Sequence, residues 1–461
     1  MSTPNIPAKS VNAWIYLDED EPKGTGYTSL NSSYQSLVNN NVYKCTDMVL
    51  VCFFAVIPDG QGYFTINIGN ATTVHPDGST TAQYLQYVIR DSRAQNPNVK
   101  ILATLNYDTN NLSQIFSADP SQWQTEAEKF ATNVTNFLVA NKMNGLDIDW
   151  EGEFSYAITP QQFSILFNAI RAAFDASNGG YLYLSFSPAN TGNLDVDTMN
   201  TCFNICNLQL YSGFTFVSDF VDIGINPQLM AYGAKFESNF QDATNAYEQA
   251  QDGFTYNGTH YTYTNITQWR LNSNNYEFEQ GQQILLYQYA YRIGSSSFND
   301  GAIISNAGNP AISSFVVRSG EVLDAIQATN TGTFNGNPGV FGLLQHGGNG
   351  GHSNPININA GDPIVEVFGY NGNWFGWNVV AQLSIKTQSG KVYGPYGTMN
   401  NVSSQQPFSY TAPSGQSIVA FDGSTAQVPV AGGGTTMVIT SLQVTCAMAQ
   451  TATQGATMAK A

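Results

Sequence analysis

Short apolar runs alternate with longer polar or helix-periodic stretches through the first 293 residues of this 461-residue chain, and few folds accommodate that alternation. It is typical of repeated strand–helix units that build a parallel sheet. The runs are apolar almost throughout, which indicates strands buried on both faces. Eight candidate strands occupy residues 11–17, 47–56, 99–105, 144–150, 181–186, 203–211, 228–233 and 283–291. We therefore predict an α/β fold, a (β/α)8 TIM barrel over residues 11–293.

Two of the stretches between the strands are amphipathic and predict helices at residues 123–140 and 160–176. Thr159 is suited to cap the second helix, and Pro160 fits its first position. After residue 294 short alternating strands separated by Gly, Asn, Pro and Ser predict an all-β domain. We also predict an N-terminal tail at residues 1–10 and a small hairpin insertion in the barrel near residues 238–282. The all-β domain covers residues 294–446, and a C-terminal tail covers residues 447–461.

The fourth candidate strand carries an acid at every second position. Alternation along a strand places Asp147, Asp149 and Glu151 on one face and the large apolar residues between them on the other. Three carboxyls roughly 7 Å apart in a barrel interior cannot all ionise readily, so they should share protons and at least one pKa should rise. Glu151 ends the strand where barrel active sites open, which favours it as a proton donor with Asp149 as its partner. A solvated acidic loop or a cation site is the alternative, and the regular alternation argues against both.

The run NGLDIDWE, residues 144–151, resembles the signature of glycoside hydrolase family 18, the chitinases and endo-β-N-acetylglucosaminidases. That signature is Asp-x-x-Asp-x-Asp-x-Glu on the fourth barrel strand, and three of its four acids match. The resemblance implies that Glu151 protonates the glycosidic oxygen, that Asp149 orients the substrate's own 2-acetamido group as nucleophile, and that Asp147 holds Asp149. Asn144 stands where the signature has its first acid; it falls on the opposite face of the strand, so we expect a modest effect on the carboxyl network.

The sixth candidate strand supports the same resemblance. Its sequence, FNICNLQLYSG, is similar to the family strand that ends in Gln-x-Tyr. The match implies that Tyr211 hydrogen-bonds the acetamide oxygen and that Gln209 lines the same pocket, with Tyr232 as a rival for the tyrosine role. Trp14 in the first strand is a further candidate for substrate binding.

Two candidate strands depart from the family pattern. The third reads TLNYD, with Thr104 and Tyr107, where the family has Ser-x-Gly-Gly. The eighth, QILLYQYAYR, lacks the tryptophan on which the reacting sugar often stacks, which leaves Tyr287 or Tyr289 as substitutes. Both departures bear on substrate affinity more than on the proton donor.

The all-β region resembles the jacalin-related lectins, whose fold is a three-sheet β-prism. The matching segments are FNDGA, SSFVVRSGEVLDAIQ, HGGNGG, IVEVFGYNG and LSIKTQSGKVYGPYGT, at residues 298–302, 313–327, 346–351, 364–372 and 383–398. The family binds sugar through a Gly loop, an aromatic-containing loop and a Gly-x-x-x-Asp loop, which implies lectin-site candidates at Gly294, Trp377 and Asn378. Residues 424–430 contain no aspartate for the third loop, so charge-assisted hydrogen bonds to the sugar are lost there. A different glycan, a protein partner or a spacer role stays open.

Charge and composition exclude several classes of partner. The chain has 33 Asp and Glu against 16 Lys and Arg, a formal net charge of −17, which disfavours nucleic acid and anionic membranes. No run approaches the roughly 18 apolar residues of a membrane span, and the first ten residues lack a signal segment, so we expect a soluble protein without membrane insertion. Its location stays open, and action on extracellular glycans fits. His346 and His352 lack the companions of a metal site, and neither domain requires a metal or cofactor.

Three interpretations of function remain, and we expect the first. It is hydrolysis of β-1,4-linked N-acetylglucosamine glycans, in chitin, chitooligosaccharides or the chitobiose core of N-glycans, by retaining substrate-assisted catalysis, with a carbohydrate-binding β-prism. The second is a non-catalytic chitinase-like lectin or toxin-complex component, which the altered third and eighth strands favour and the intact Glu151 opposes. In the third, the β domain binds a protein and the barrel is a scaffold.

Overall fold

The structure, a computed structural model, describes residues 5–17, 33–75, 78–292, 297–304, 307–334, 337–429 and 434–448. Contacts within the chain divide it into two compact units between Tyr287 and Gln288. Of the predicted tails, residues 1–4 and 449–461 lie outside the described residues.

The first unit is built around a parallel sheet that closes on itself. Its strands are β1 Ser10–Tyr16, β2 Met48–Pro58, β3 Phe64–Ile68, β4 Lys100–Leu105, β5 Gly145–Trp150, β6 Tyr183–Pro188, β7 Ile205–Leu208, β8 Met230–Lys235, β9 Phe254–Tyr256, β10 Thr259–Tyr261 and β11 Asn265–Trp269. In the described residues eight of them pair in parallel in the order β1-β2-β4-β5-β6-β7-β8-β11, and β11 pairs back to β1. Strand β3 extends β2 in antiparallel fashion, and β9 and β10 form a hairpin. This closed arrangement confirms the predicted eight-stranded barrel.

Helices occupy the segments between the barrel strands. They are α1 Ser33–Asn39, α2 Thr81–Gln95, α3 Asn110–Ser113, α4 Trp123–Ala140, α5 Pro160–Asp175, α6 Val196–Cys202, α7 Val217–Val221, α8 Ala243–Asp252 and α9 Tyr276–Arg292. The start of α5 follows the predicted signals: the Thr159 hydroxyl accepts from the Gln162 amide N–H at 3.2 Å, and Gln162 Oε1 accepts from the Thr159 N–H at 2.9 Å. Pro160 occupies the first turn, where no N–H partner is needed.

The prediction of an eighth barrel strand at residues 283–291 is wrong, because this segment lies in α9 and the eighth strand is β11. Leu286 in α9 is fully buried, and so are Gln280 and Gln283, whose side chains donate to the carbonyls of Ser33 and Cys45. A helix buried on several sides carries no polar stripe, so its apolar run cannot be told from a buried strand. The region 238–282 therefore contains both the predicted hairpin, β9 and β10, and a barrel strand.

The second unit is almost entirely strand. Its elements are α10 Asp300–Ile304 and the strands β12 Ser297–Asn299, β13 Gly308–Ser319, β14 Leu323–Phe334, β15 Asn337–Gly342, β16 His346–Gly347, β17 His352–Asn357, β18 Ile364–Trp374, β19 Trp377–Thr387, β20 Val392–Tyr396, β21 Val402–Thr411, β22 Gln416–Pro429 and β23 Thr435–Met448. As far as the structure describes this unit, the strands form three antiparallel sheets, β12-β22-β23, β15-β14-β13-β17 with β16 on β14, and β20-β19-β18-β21. Three sheets confirm the predicted all-β fold.

The core of the second unit joins strands from different sheets. Trp374 and Val379 of one sheet pack with Val428 and Val438 of another, and Val322 in the turn between β13 and β14 joins them. All five are at least nine-tenths buried. The sheets are thus held together by a shared apolar cluster.

Gly145 begins β5 at a point where the next strand leaves no room for a side chain. A Cβ added there would lie 2.1 Å from the Tyr183 carbonyl oxygen. We expect Gly145→Ala to lower the free energy of unfolding of the first unit by at least about 1 to 3 kcal/mol, because backbone atoms of β6 must move. Urea denaturation followed by tryptophan fluorescence measures the change.

Gly361→Ala is the matched control, since its Cβ would meet nothing closer than 3.7 Å. Equal denaturation midpoints for the two variants would contradict the close approach of β5 and β6.

Candidate active site

Strand β5 separates acidic and apolar side chains onto its two faces. Asp147 and Asp149 point to the barrel interior, and Asp147 is fully buried. On the opposite face the Trp150 ring packs at 5.4 and 5.5 Å, centre to centre, against Phe163 and Phe186. Glu151 follows the last strand residue with an extended backbone, φ −144° and ψ 166°, so the alternation continues and Glu151 shares the face of the two aspartates.

Asp147 is the deepest of the three acids. Its Oδ1 accepts from the Ser187 hydroxyl at 2.8 Å, and in the sheet it stands between Thr104 of β4 and Ser185 of β6. Burial raises the pKa of Asp147 to about 6, and hydrogen bonds from neighbouring hydroxyls oppose that rise. The carboxyl therefore binds its proton more tightly than a solvated aspartate does.

Asp149 and Glu151 lie above it, toward the mouth of the barrel. Gln209 Nε2 donates to Asp149 Oδ1 at 3.0 Å and to the Ser187 carbonyl at 3.3 Å. Burial, followed by the charges of Glu151 and Asp147, holds the pKa of Asp149 well above its ordinary value. Burial also raises the pKa of Glu151, which is half-buried. The inner face of β5 therefore keeps protons at a pH where ordinary carboxyls have lost them.

These acids open into a cavity of about 300 Å³ within the first unit. Its lining comprises Trp14, Tyr16, Phe53, Tyr107, Asp149, Glu151, Gln209, Tyr211 and Trp269. The ring of Trp269 lies 5.9 Å from that of Trp14 and 6.2 Å from that of Phe53, centre to centre. The cavity thus combines carboxyl groups on one side with a wall of packed aromatic rings. Such a pairing suits a ligand with an apolar ring face and polar substituents, as sugars have.

A charge network supports two of these aromatic side chains. Glu237 pairs with Arg270 at 3.1 Å and with Lys235 at 3.3 Å. The Arg270 guanidinium lies 5.5 Å from the centre of the Trp269 ring, and Lys235 Nζ lies 5.8 Å from that of Tyr211. One carboxylate therefore fixes two cations, each of which faces an aromatic residue of the cavity.

Five of the predicted site residues share this cavity: Trp14, Asp149, Glu151, Gln209 and Tyr211. Asp147 lies beneath them and contacts the site through Ser187.

The surroundings of Tyr211 make its phenol a weaker acid. Burial, and then the carboxyls of Asp149 and Glu151, hold the pKa of Tyr211 well above the ordinary value, so the phenol keeps its proton. A protonated phenol is available as a hydrogen-bond donor.

Tyr232, the rival to Tyr211, is not brought to the cavity. Its ring is buried, and its hydroxyl bonds to Gln249 of α8 and accepts from Gln241 Nε2 at 2.8 Å. The hydroxyl is thus held by the segment that follows β8, while the cavity lining contains Tyr211 instead.

The predicted roles of Tyr287 and Tyr289 as eighth-strand aromatics are wrong for the same reason as the strand itself. Both belong to α9, and Tyr289 is 1% exposed with its hydroxyl on the Gly342 carbonyl at 3.1 Å. Trp269, at the end of β11, takes the place expected of an aromatic on the eighth strand. The run NITQW, five residues of strand-forming sequence after a turn-rich stretch, is the signal that could have identified it.

Two further residues of the cavity, Tyr16 and Phe53, were not anticipated as site residues. They follow the buried stretches of β1 and β2, and their rings lie 5.3 Å apart. Their position near the carboxyl ends of barrel strands is the only sequence signal for them.

The lectin-site candidates lie in the second unit. Gly294 lies outside the described residues. Trp377, 43% exposed, and Asn378 begin β19, directly after the turn that ends β18. Both side chains are accessible to a ligand. Their contact with a sugar stays a prediction.

Among the described residues, no group of three or more His, Cys, Asp or Glu is arranged to hold a metal ion. The helices of the described segments include none with the length and apolar character needed to cross a membrane.

Two family models match the chain. Residues 14–291 match the model of the glycosyl hydrolases family 18, and residues 293–431 match that of the jacalin-like lectin domain. No curated protein sequence matches it.

Solved structures similar to the chain include proteins of both kinds. A chitinase from Bacteroides thetaiotaomicron is 17% identical, with 62% of this chain and 98% of that chain covered and a TM-score of 0.40. A glycoside hydrolase family 18 N-acetylglucosaminidase from Paenibacillus barengoltzii is 16% identical, with 50% and 68% covered and a TM-score of 0.35. A mannose-binding jacalin-related lectin from Ananas comosus is 24% identical, with 30% and 83% covered and a TM-score of 0.25.

The raised pKa of Asp147 predicts how stability depends on pH. With a folded-state pKa of about 6 against an ordinary 3.8, the folded protein holds this proton more tightly than the unfolded chain. The resulting stabilisation, up to about 3 kcal/mol, is complete below pH of about 4 and is lost as the pH rises through about 6. Asp147→Asn cannot titrate, so its free energy of unfolding should decline less between pH 4 and pH 7 than that of the wild type, as measured by urea denaturation.

Glu128→Gln, which neutralises an exposed carboxyl on α4, serves as the control and should follow the wild-type profile. Parallel profiles for Asp147→Asn and the wild type would show that Asp147 is not the group responsible.

Proposed function

The chain belongs to the glycosyl hydrolases of family 18, and from the site in its barrel we propose that it hydrolyses β-1,4-linked N-acetylglucosamine glycans by retaining, substrate-assisted catalysis. The observation that carries this proposal is the cavity in which Asp149, Glu151 and Tyr211 face a wall of aromatic rings. Chitin, chitooligosaccharides and the chitobiose core of N-glycans contain the required linkage. The jacalin-like second unit is proposed to bind glycan.

In this mechanism Glu151 is the general acid. It lies at the mouth of the cavity, and its raised pKa favours the protonated form that a donor needs. As the bond between the sugar C1 and the glycosidic oxygen breaks, the Glu151 proton passes to that oxygen. The leaving sugar departs as a neutral alcohol, and Glu151 is left as a carboxylate.

The substrate itself supplies the nucleophile. The carbonyl oxygen of the 2-acetamido group bonds to C1 from the opposite face and forms a positively charged cyclic intermediate. With the shared proton on Asp147, Asp149 is a carboxylate that accepts a hydrogen bond from the acetamide N–H and stabilises this charge, and the Tyr211 hydroxyl donates to the acetamide oxygen. Water then attacks C1 from the face that the leaving sugar vacated, the bond between C1 and the acetamide oxygen breaks, and the Glu151 carboxylate takes a proton from the water. The acetamido group and Glu151 are thereby restored, and the two inversions at C1 retain the anomeric configuration.

Gln209 and Asp147 position Asp149 for this step. The Gln209 amide holds one carboxyl oxygen of Asp149 at 3.0 Å, and Asp147 lies one strand repeat below. The electrostatic effect of Asp147 on Asp149 links the two carboxyls, so the proton held low in the barrel tunes the charge next to the substrate.

Trp14 and Trp269 are proposed as the stacking surface for the reacting sugar. Their rings meet at 62°, edge to face, and Trp269 supplies the eighth-strand aromatic group. The non-catalytic alternative drew support from the absence of such a residue, and Trp269 removes that support.

Replacement of Glu151 tests the proposed acid. We expect Glu151→Gln to reduce kcat on a fluorogenic chitotriose by about 10² to 10⁴-fold, because the amide cannot give up a proton, while chitotriose binding is retained. Wild-type kcat/KM should fall at high pH, where Glu151 loses its proton, at a pH above that typical of a solvated glutamate.

Glu153→Gln, two residues along the chain and exposed, is the control and should retain wild-type kcat. Binding of chitotriose without turnover by the wild type would instead support the non-catalytic lectin.

Replacement of Trp269 tests the stacking surface. Trp269→Ala should raise the KM for chitotriose about 5- to 100-fold with a smaller effect on kcat, and Trp269→Phe should recover much of the loss. The control is Trp123→Ala, at the start of α4 and outside the cavity lining; a matching KM increase in this variant would contradict the assignment.

Parallel assays of the wild type on chitotriose and on a glycoprotein with high-mannose N-glycans identify the preferred substrate.

A further inference from the structure

The second unit contains a groove that no predicted site residue lines. Strands β17 and β20 end their respective sheets in the described residues, and a cavity of about 770 Å³ lies between them. We call it the edge groove; its side chains include Glu321, His352, Asn354, Gln382, Tyr396 and Thr398. The volume lies within the range of ligand clefts and exceeds that of a single sugar ring.

The residues that line the edge groove are mostly of polar types and almost uncharged. Amide and hydroxyl side chains predominate, Tyr396 is the one aromatic residue besides His352, and Glu321 is the one acid among the lining residues. The lining contains neither Lys nor Arg, so it offers no permanent positive charge to a phosphate, sulfate or carboxylate ligand. This composition selects a neutral ligand rich in hydroxyl groups.

Two side-chain hydrogen bonds hold the Glu321 carboxylate in place. Its Oε2 accepts from the Trp374 indole N–H at 2.8 Å, and its Oε1 accepts from Asn401 Nδ2 at 2.9 Å. Each carboxylate oxygen can accept about two hydrogen bonds, so these contacts orient the group without exhausting it. An oriented carboxylate accepts two adjacent sugar hydroxyls in charge-assisted hydrogen bonds.

Glycine residues bring the main chain to the wall of the groove. Gly394 and Gly397 have φ of +104° and +96°, and a Cβ at Gly397 would lie 2.1 Å from the Ala381 carbonyl oxygen. These positions therefore require glycine. Exposed main chain at these points allows close approach of a ligand with polar groups on all sides.

An extended peptide is the other ligand that edge strands attract. One end of the edge groove is closed against it: the Thr398 N–H donates to the Gly320 carbonyl at 3.0 Å, and the Met399 N–H donates to the Glu321 carbonyl at 2.8 Å. A strand cannot continue through these bonds. The lining also lacks the alternating apolar pockets that give peptide recognition its specificity.

We propose that the edge groove binds a neutral oligosaccharide of two or three units, with Glu321 accepting two adjacent hydroxyls. The site is distinct from Trp377 and Asn378, which do not line the groove. This inference rests on the proposed glycan binding by the second unit and does not depend on hydrolysis in the barrel.

Calorimetric titration of the full chain with mannotriose and with chitotriose tests the proposal, in a Glu151→Gln background that prevents cleavage. Glu321→Gln removes the charge, and Thr398→Trp blocks the groove from an exposed position without touching the core. Both should reduce the affinity for at least one trisaccharide tenfold or more. Trp377→Ala should leave that affinity unchanged, and with Glu151 intact neither groove variant should alter chitotriose hydrolysis.

Three results would overturn the inference. Loss of affinity in Trp377→Ala but in neither groove variant places the sugar at the β18–β19 turn. Binding that Trp269→Ala alone abolishes places all of it in the barrel and leaves the hydrolase proposal standing. Unchanged binding in both groove variants would show that the trisaccharides do not occupy the groove, and would favour an extended peptide as its ligand. Conversely, groove binding by a chain whose wild type cleaves no chitotriose would support this inference and contradict only the proposed hydrolysis.

Discussion

The burial of acids on the inner face of β5 is the constraint on which the barrel site depends. A carboxylate removed from water is costly unless it is hydrogen-bonded, paired with a cation or protonated. Hydrogen bonds meet part of this cost, from Ser187 and neighbouring hydroxyls on Asp147 and from Gln209 on Asp149. The nearby cations Lys235 and Arg270 are paired with Glu237 rather than with the acids of β5. Protonation therefore relieves the remaining cost, and it provides an acid at the mouth of the cavity.

The outer face of β5 offsets this cost. Trp150 is buried in a cluster of phenylalanine rings from α5, β6 and the turn after β5. Burial of large apolar side chains stabilises a fold by about 1.5 to 3 kcal/mol each. A shift of β5 by one residue would turn Trp150 into the barrel and the acids into the helix layer, so the alternation that offsets the cost of the acids also fixes their direction.

The same alternation explains which parts of the fold and site could be predicted. Acids and large apolar residues differ so strongly in hydration that β5 has one acceptable orientation, and its place at the mouth follows from the direction of parallel strands. No such contrast exists in α9, whose buried face includes Gln280 and Gln283 as well as Leu286. There the apolar run was mistaken for a strand, and β11 was assigned to an insertion. The aromatic wall was the part of the site that the sequence predicted least well. Phe53 and Trp269 come together only through closure of the barrel, which joins strands over 200 residues apart in the chain.

The two cavities lie in different folds, and neither has a lining suited to an anionic ligand. The chain carries a net charge of −17, which disfavours anionic ligands at a distance, and in each cavity the lining groups are acids, amides, hydroxyls and rings. In the barrel the two cations nearest the site are paired to Glu237 and face aromatic rings, so they are not aimed at substrate charge. The carboxyl groups differ in their surroundings: those on β5 are buried close to one another, which raises the pKa of Asp149, whereas Glu321 is the one acid among the residues that line its groove and accepts hydrogen bonds from two neutral N–H groups. An acid at the mouth of a cavity can give a proton to a glycosidic oxygen, and a carboxyl group that stands alone can accept hydrogen bonds from hydroxyl groups, so the same residue type suits the hydrolysis proposed for one unit and the recognition proposed for the other.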